Sequence, residues 1–106
     1  MILSTTPDIP GKRIETVLGL VRGNTIRARH FGRDIQAAFR NLTGGEVHEY
    51  TKLMAEAREQ AIDRMIDEAS TLGADAVVGL RFQTCEVAKG AAEMLCYGTA
   101  VTFAKD

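Results

Sequence analysis

Apolar residues are dense in the first third of the chain, and their pattern predicts two strands there. Residues 1–6 form a short candidate edge strand, followed by a turn rich in proline and glycine. Over residues 14–29, apolar side chains alternate onto both faces, which predicts a strand that is covered on both sides. Gly19 and Gly23 indicate a bend or a close approach of another backbone, and Asn24 marks a candidate turn between two shorter strands.

Helical spacing of apolar residues predicts a short and a long helix in the middle of the chain. Residues 32–42 fit a three-turn amphipathic helix, and residues 46–72 fit a much longer one that ends at Gly73. A helix of that length spans about 40 Å, whereas a compact domain of this size has a radius of gyration near 13 Å, to order of magnitude. We therefore expect the long helix to pack against neighbouring subunits as well as its own sheet.

The last third alternates as a β-hairpin does. Residues 76–83 and 95–103 form the two strands, and a loop over residues 89–92 joins them. The chain of 106 residues thus reads as one α+β domain over residues 1–106. Its expected architecture is an antiparallel or mixed sheet with a C-terminal hairpin, packed by one short and one long helix.

The hairpin pattern also predicts where the two cysteines lie. The apolar faces of the strands match when the numbers of facing residues add to an odd value. A loop centred on residues 90–91 then places Val78 opposite Phe103 and Cys85 opposite Cys96. A turn one residue earlier leaves the cysteines diagonal but on one face, and only a loop of odd length separates them.

Two facing thiols suggest a metal site. Opposite positions on antiparallel strands have Cα atoms about 4.5–5.5 Å apart, within reach of a disulfide or of a shared metal ion. Thiolates prefer soft ions such as Cu(I) and also bind Zn(II). However, the spacing of Cys85 and Cys96 matches no standard ligand motif, and two sulfurs are half of a zinc shell. The competing interpretation is that both cysteines pack as small hydrophobes.

Composition restricts the class of partner. Thirteen basic and 14 acidic residues give a net charge of −1, which offers no general attraction to nucleic acid or to an anionic membrane. Aromatic residues make up 6% of the chain, too few for a base-stacking platform. The N-terminus lacks the features of a signal peptide, and no apolar run is long enough for a membrane span. We expect a cytoplasmic protein with reduced thiols.

Several segments of the chain match the pattern of one protein family. They are Ser4-Thr5-Thr6, residues 19–23, Gly44-Gly45-Glu46 with Tyr50, Glu56-Ala57-Arg58 with Ala61, Arg64 and Met65, residues 72–82, and residues 97–101. Together these segments resemble the YbjQ family, whose members are described as heavy-metal-binding. The resemblance covers nearly the whole chain, although the MxCxxC loop of known heavy-metal carriers does not occur in it.

The resemblance implies a compact α+β subunit that assembles into a homopentameric ring. Our first functional hypothesis is a homo-oligomer that binds a small ligand, such as a soft metal ion held by Cys85 and Cys96, without catalysis. A second is a scaffold in which the cysteines only pack. A third is an enzyme with Glu46, Tyr50 and Arg58 around a pocket between subunits, since these residues match the family pattern.

Overall fold

One long helix lies across one face of a four-stranded mixed sheet in this computed structural model, which describes residues 1–28, 48–88 and 90–105. The sheet order is β1-β3-β4-β2, with β1 parallel to β3 and the other neighbours antiparallel. The α+β class and the mixed sheet are confirmed. The predicted short helix at residues 32–42 lies outside the described residues. The elements in chain order are β1 (Ile2–Leu3), β2 (Ile14–Ala28), α1 (His48–Thr71), β3 (Ala76–Ala88) and β4 (Ala91–Phe103).

Strand β2 forms one edge of the sheet and runs unbroken for 15 residues. The predicted turn at Asn24 is therefore wrong, because β2 stays paired with β4 through that position. Gly19 does mark an irregularity, since it has a φ of +120° next to a shift in the pairing register. Such a shift is a β-bulge, which bends the strand and increases its twist.

Gly23 is where helix and strand approach most closely. A Cβ atom there would overlap the carbonyl oxygen of Ala61 and lie 2.5 Å from the backbone nitrogen of Met65. The helix presents small residues to this crossing, since Ala57 and Ala61 are buried against the sheet. The predicted close approach at Gly23 is confirmed, and its physical cause is the small size of the residues on both surfaces, glycine on the strand and alanine on the helix.

Helix α1 ends in the manner that the sequence predicts. Gly73 has a φ of +78°, a conformation that glycine adopts at little cost. The Ala74 N–H donates to the Ala69 carbonyl at 3.1 Å, and the Gly73 N–H donates to the Ser70 carbonyl at 3.0 Å. These two bonds are a Schellman motif, which satisfies the last carbonyl groups and directs the chain into β3.

The hairpin forms, but its predicted register is wrong. Val78 pairs with Thr99 rather than with Phe103, and Cys85 pairs with Glu93 rather than with Cys96. Two irregularities change the register, one between Val78 and Arg81 and one between Glu86 and Ala88. Each bulge adds one residue to β3 and none to β4. The numbers of two paired residues therefore add to an odd value near the helix end of the hairpin, as for Val78 and Thr99, and to an even value along its middle, as for Cys85 and Glu93. The predicted register, which is the same along the whole hairpin, does not allow for this change.

The two sides of the sheet differ in what covers them. The covered face lies under α1 and includes Val21, Met94 and Cys96, all of which are buried. The bare face is the part of the opposite side that includes Leu20 and Ile26, which alternate with Val21 along β2 and are exposed. Within the described part of the subunit only one side of β2 is covered, so its cover on the second side stays a prediction.

A second, smaller cluster closes one end of the opposite side. Ala76, Val78 and Val101 are buried there, with Ile9 and Ile14 packed against them. The Arg81 guanidinium donates to the Thr5 carbonyl at 2.9 Å and so ties the N-terminal segment to β3. This segment covers only the end of the sheet near β1, which leaves the bare face of β2 without a partner in the described part of the subunit.

Candidate functional site

The two cysteines, which the sequence placed on one face, lie on opposite faces of the sheet. Cys96 pairs with Phe82 and Cys85 pairs with Glu93, with no register shift between these pairs. Because side chains alternate along a strand, Phe82 and Cys85, three residues apart, point to opposite sides. The fold therefore does not bring Cys85 and Cys96 together within a subunit, and each has its own surroundings.

Cys85 is exposed and lies beside a carboxylate. Its Sγ is 4.0 Å from Oε1 of Glu93, the residue directly across the hairpin. The other carboxylate oxygen of Glu93 accepts from Nδ2 of Asn24 on β2 at 3.2 Å. The three side chains form a small polar row on the bare side of the sheet, which offers a metal ion one thiol and one carboxylate in a solvated setting.

Cys96 is fully buried and contacts a second sulfur. Its thiol donates to Sδ of Met65 on α1 at 3.5 Å, and both residues have no exposed surface. Burial raises the pKa of the Cys96 thiol, because the surrounding apolar side chains solvate a thiolate poorly. A thiol beside a thioether in an apolar environment is the most distinctive chemical group in the described part of the chain.

The close helix crossing is what brings these sulfurs into contact. On β2, Gly23 is the residue paired with Cys96, and it lets the backbone of α1 come within van der Waals range at Met65. Met65 lies one helical turn after Ala61, which is buried at the same crossing. The pairing and the glycine therefore fix the sulfur pair between helix and sheet.

Two further side chains, Met94 and Thr25, lie on the same face of the sheet as the sulfur pair. Met94 is two residues before Cys96 on β4, so it points to the same side, and its Sδ accepts from the Thr84 hydroxyl at 3.4 Å. Thr25, the β2 residue that pairs with Met94, is 3% exposed, and its hydroxyl has no hydrogen-bond partner in the described part of the chain. Buried hydroxyls seldom lack a partner, so this one is a local exception.

The sulfur pair was not found from the sequence, because nothing in the pattern singles out Met65 from the other apolar residues of the helix. Part of the signal was present, since Gly23 predicted a close backbone approach and Met65 follows Ala61, a small residue, at helical spacing. Which strand residue faces Met65 depends on the β2–β4 register, and the bulge beside Gly19 makes that register difficult to predict from pattern.

The structure places only one of the three predicted pocket residues in detail. Arg58 is exposed on α1, where its Nε lies 3.7 Å from a carboxylate oxygen of Glu59. Glu46 and the side chain of Tyr50 lie outside the described residues. A pocket formed by Glu46, Tyr50 and Arg58 therefore stays a prediction.

Within residues 1–28, 48–88 and 90–105, there is no group of three or more His, Cys, Asp or Glu side chains placed to hold a metal ion. The same part of the chain contains no helix that is long and apolar enough to cross a membrane.

Comparison with known proteins identifies relatives along the whole chain. The model of the YbjQ family, described as "Putative heavy-metal-binding", matches residues 1–104. A UPF0145 protein of Thermosipho melanesiensis is 55% identical over 101 residues, covering 95% of this chain and 94% of the relative. A UPF0145 protein of Halorubrum lacusprofundi is 58% identical over 101 residues, covering 95% of this chain and 97% of the relative.

One solved structure shares the fold. It is the crystal structure of a protein of unknown function from Pediococcus pentosaceus that belongs to the DUF74 family. The match covers 98% of both chains with a TM-score of 0.66 and 17% sequence identity. At that identity the likeness supports the architecture alone.

Proposed function

The chain belongs to the YbjQ family, and from this membership we propose that it is a homopentameric protein that binds a soft metal ion and does not catalyse a reaction. The observation that carries the proposal is the bare face of β2. Val17, Leu20 and Ile26 lie there with 64%, 62% and 57% of their surface exposed. Large apolar side chains grouped on one strand face mark an interaction surface.

The outer edge of β2 supports self-association as the means of covering this face. In the described part of the chain β2 pairs with β4 on one side only, so the other edge of its 15 residues is a template for pairing with another chain. Among the described residues, the part of β3 beyond Leu80 has no backbone partner on its β1 side either, because β1 and the residues after it bond to β3 only as far as Leu80. Two different edges on one subunit favour a head-to-tail contact, which closes into a ring when the rotation is suitable.

The shape of the subunit is consistent with assembly. Its radius of gyration is 17.4 Å and its extents are 58 × 25 × 16 Å. A compact domain of this length has a radius of gyration of about 13 Å. An elongated subunit with one covered face buries less apolar surface than its size allows, and packing against further copies supplies the remainder.

The soft-metal part of the proposal rests on the family description and on sulfur chemistry. Thiolate and thioether sulfurs are the protein ligands that soft ions such as Cu(I) prefer. This chain places its thiols in two different settings, Cys85 beside a carboxylate and Cys96 beside a thioether. Among the described residues, the surroundings of Cys96 offer sulfur with neither a general base nor a polarised nucleophile beside it, which favours binding over catalysis.

Native mass spectrometry of protein purified without chelator tests the proposal. We expect a pentamer that carries co-purifying metal. Leu20→Glu should give free subunits, because it places a charge on the bare face, whereas Lys105→Glu, at an exposed position outside the helix and the strands, should leave the assembly intact. A wild-type monomer would contradict the assembly, and a metal-free pentamer would favour the scaffold alternative.

A further inference from the structure

We propose that Cys96 and Met65 form a binding site for a soft monovalent cation, Cu(I) or Ag(I), between α1 and the sheet, with Met94 as a further sulfur donor on the same face. This inference rests on the proposed metal-binding function and deepens it by naming the ligands and the charge of the ion. It also replaces the pair of Cys85 and Cys96 that the sequence suggested.

The distance between the sulfurs allows both to reach one ion. Cys96 Sγ and Met65 Sδ are 3.5 Å apart. Metal–sulfur bonds of about 2.3 Å, the length found in zinc thiolate sites, let two sulfurs up to about 4.6 Å apart share an ion. The thiol proton already lies between the two sulfurs, so the cation takes its place. The step is Cys96–SH plus M⁺ giving Cys96–S–M plus H⁺, with the proton released to solvent.

The apolar surroundings select the charge of the ion. A monovalent cation with one thiolate is neutral overall, so burying the pair leaves no net charge among Val21, Ala61 and Ala100. Zn(II) with the same thiolate would leave one buried positive charge. Zn(II) also takes four ligands, usually from Cys, His, Asp and Glu, and the described residues offer no cluster of three of these. The site should therefore distinguish monovalent soft ions from Zn(II).

A second observation concerns the same face of the sheet. The Thr25 hydroxyl is buried there without a partner in the described part of the chain, on the β2 residue that pairs with Met94. A buried hydroxyl without a partner destabilises the fold. A thiolate–metal unit would introduce hydrogen-bond acceptors and a dipole on the same face as that hydroxyl.

The competing explanation is that Met65 and Met94 simply fill gaps around a buried thiol, as methionine often does. This explanation and the proposal differ in one respect. Gap filling depends on side-chain volume, whereas metal binding depends on the sulfur atom. Met65→Leu keeps the volume nearly constant and removes the sulfur, so it separates the two explanations at small cost to stability.

The test is anaerobic titration of reduced full-length protein with Cu(I) against a competing chromophoric chelator, repeated with Ag(I) and with Zn(II). Wild type and the control Cys85→Ala should bind one Cu(I) per subunit. Met65→Leu should bind it at least tenfold more weakly, and Cys96→Ala should lose the site. Cu(I) should raise the melting temperature of wild type but not of Cys96→Ala, because a ligand stabilises only the state that binds it.

The possible results separate this inference from the proposed function. If wild type binds Cu(I) but Met65→Leu binds it equally well, or Cys85→Ala abolishes binding, the proposed site is wrong while metal binding stands. If wild type binds no soft ion, both are wrong. Should Cys96→Ala fail to fold, Met65→Leu and Cys85→Ala still decide the question. Met65→Leu keeps the side-chain volume nearly constant and Cys85 is exposed, so both variants should fold. Equal uptake of Zn(II) would overturn the argument from charge.

Discussion

The two faces of the sheet differ in what covers them, although the same strands form both. On the covered face, α1 packs on β2 and β4 so closely that Gly23 has no room for a Cβ atom. The bare face carries Leu20 and Ile26 on the same strand, and both are more than half exposed. Adjacent residues of β2 thus differ in solvent exposure, since Val21 is buried and Leu20 is exposed.

The difference shows that a strand with apolar residues on both faces need not be an internal strand of a monomer. One face can be closed by the chain's own helix and the other left for a second copy. The faces also divide the thiol chemistry, with Cys96 beside a thioether in the covered core and Cys85 beside a carboxylate at the surface. Substitutions on one face should therefore affect subunit stability, and those on the other should affect assembly.

The largest expected effect comes from filling the helix crossing. Gly23→Ala places a methyl group against the backbone of Ala61 and Met65, neither of which can move without shifting α1. We expect a loss of about 3 kcal/mol or more in the free energy of unfolding. The neighbouring Asn24→Ala, which alters the other face, should cost about 0.5 kcal/mol or less. Urea unfolding of both variants measures the difference, and equal losses would show that the crossing is looser than described.

The second-largest expected effect is a difference in thiol reactivity between the two faces. Cys96→Ala leaves only exposed Cys85, and Cys85→Ala leaves only buried Cys96. The remaining Cys96 can react only when α1 opens away from the sheet, so we expect a chromogenic disulfide reagent to modify it at least about a hundredfold more slowly. Stopped-flow absorbance gives both rates. Similar rates would mean that the covered face is accessible to solvent.

A pair of truncations on adjacent residues sharpens the comparison further. Val21→Ala should lower the unfolding free energy by about 2 kcal/mol at any protein concentration, because it leaves a cavity under α1. Leu20→Ala should lower it by an amount that grows with protein concentration, because the lost contacts belong to the assembly. Chemical unfolding across a hundredfold range of concentration checks both. A concentration-independent loss in Leu20→Ala would argue against a self-association surface on the bare face.

The parts of the fold that depend on local chemistry were predictable from sequence. Gly73 marked the helix end because a glycine at positive φ suits that position, and Gly23 marked a close approach because nothing else fits there. The register of the hairpin was not predictable in the same way. Gly79, with a φ of +62°, lies within the register shift between Val78 and Arg81, and a glycine within a strand pattern is only a weak signal of a bulge.

The wrong register of the hairpin also led to the wrong pair of candidate metal ligands. With one register throughout, Cys85 and Cys96 would share a face, and the second bulge of the hairpin separates them. The sulfur partner of Cys96 comes instead from α1, through the contact with Met65, and helix-to-strand contacts depend on packing that no periodicity specifies. The assembly depends on contacts with further copies of the chain, so it stays a prediction. The pocket of Glu46, Tyr50 and Arg58 depends on side chains outside the described residues, so it stays a prediction too.

The smallest expected effect is a dependence of stability on alkaline pH that belongs to the covered face. Burial raises the pKa of the Cys96 thiol above its ordinary value of 9.0. Above that pH the unfolded chain releases the proton first, so the stability present below pH 9.0 is lost as pH rises toward the folded pKa, at up to about 1.4 kcal/mol per pH unit. Urea unfolding of metal-free Cys85→Ala from pH 7 to 10 should show this loss, and the double variant with Cys96→Ala should lack it.

Charged groups on the same face, Arg27, Arg64 and Glu86, are present in both proteins and cancel in the difference. Identical pH profiles would mean that Cys96 ionises as readily in the fold as in the unfolded chain, and so that the covered face is not sealed around it.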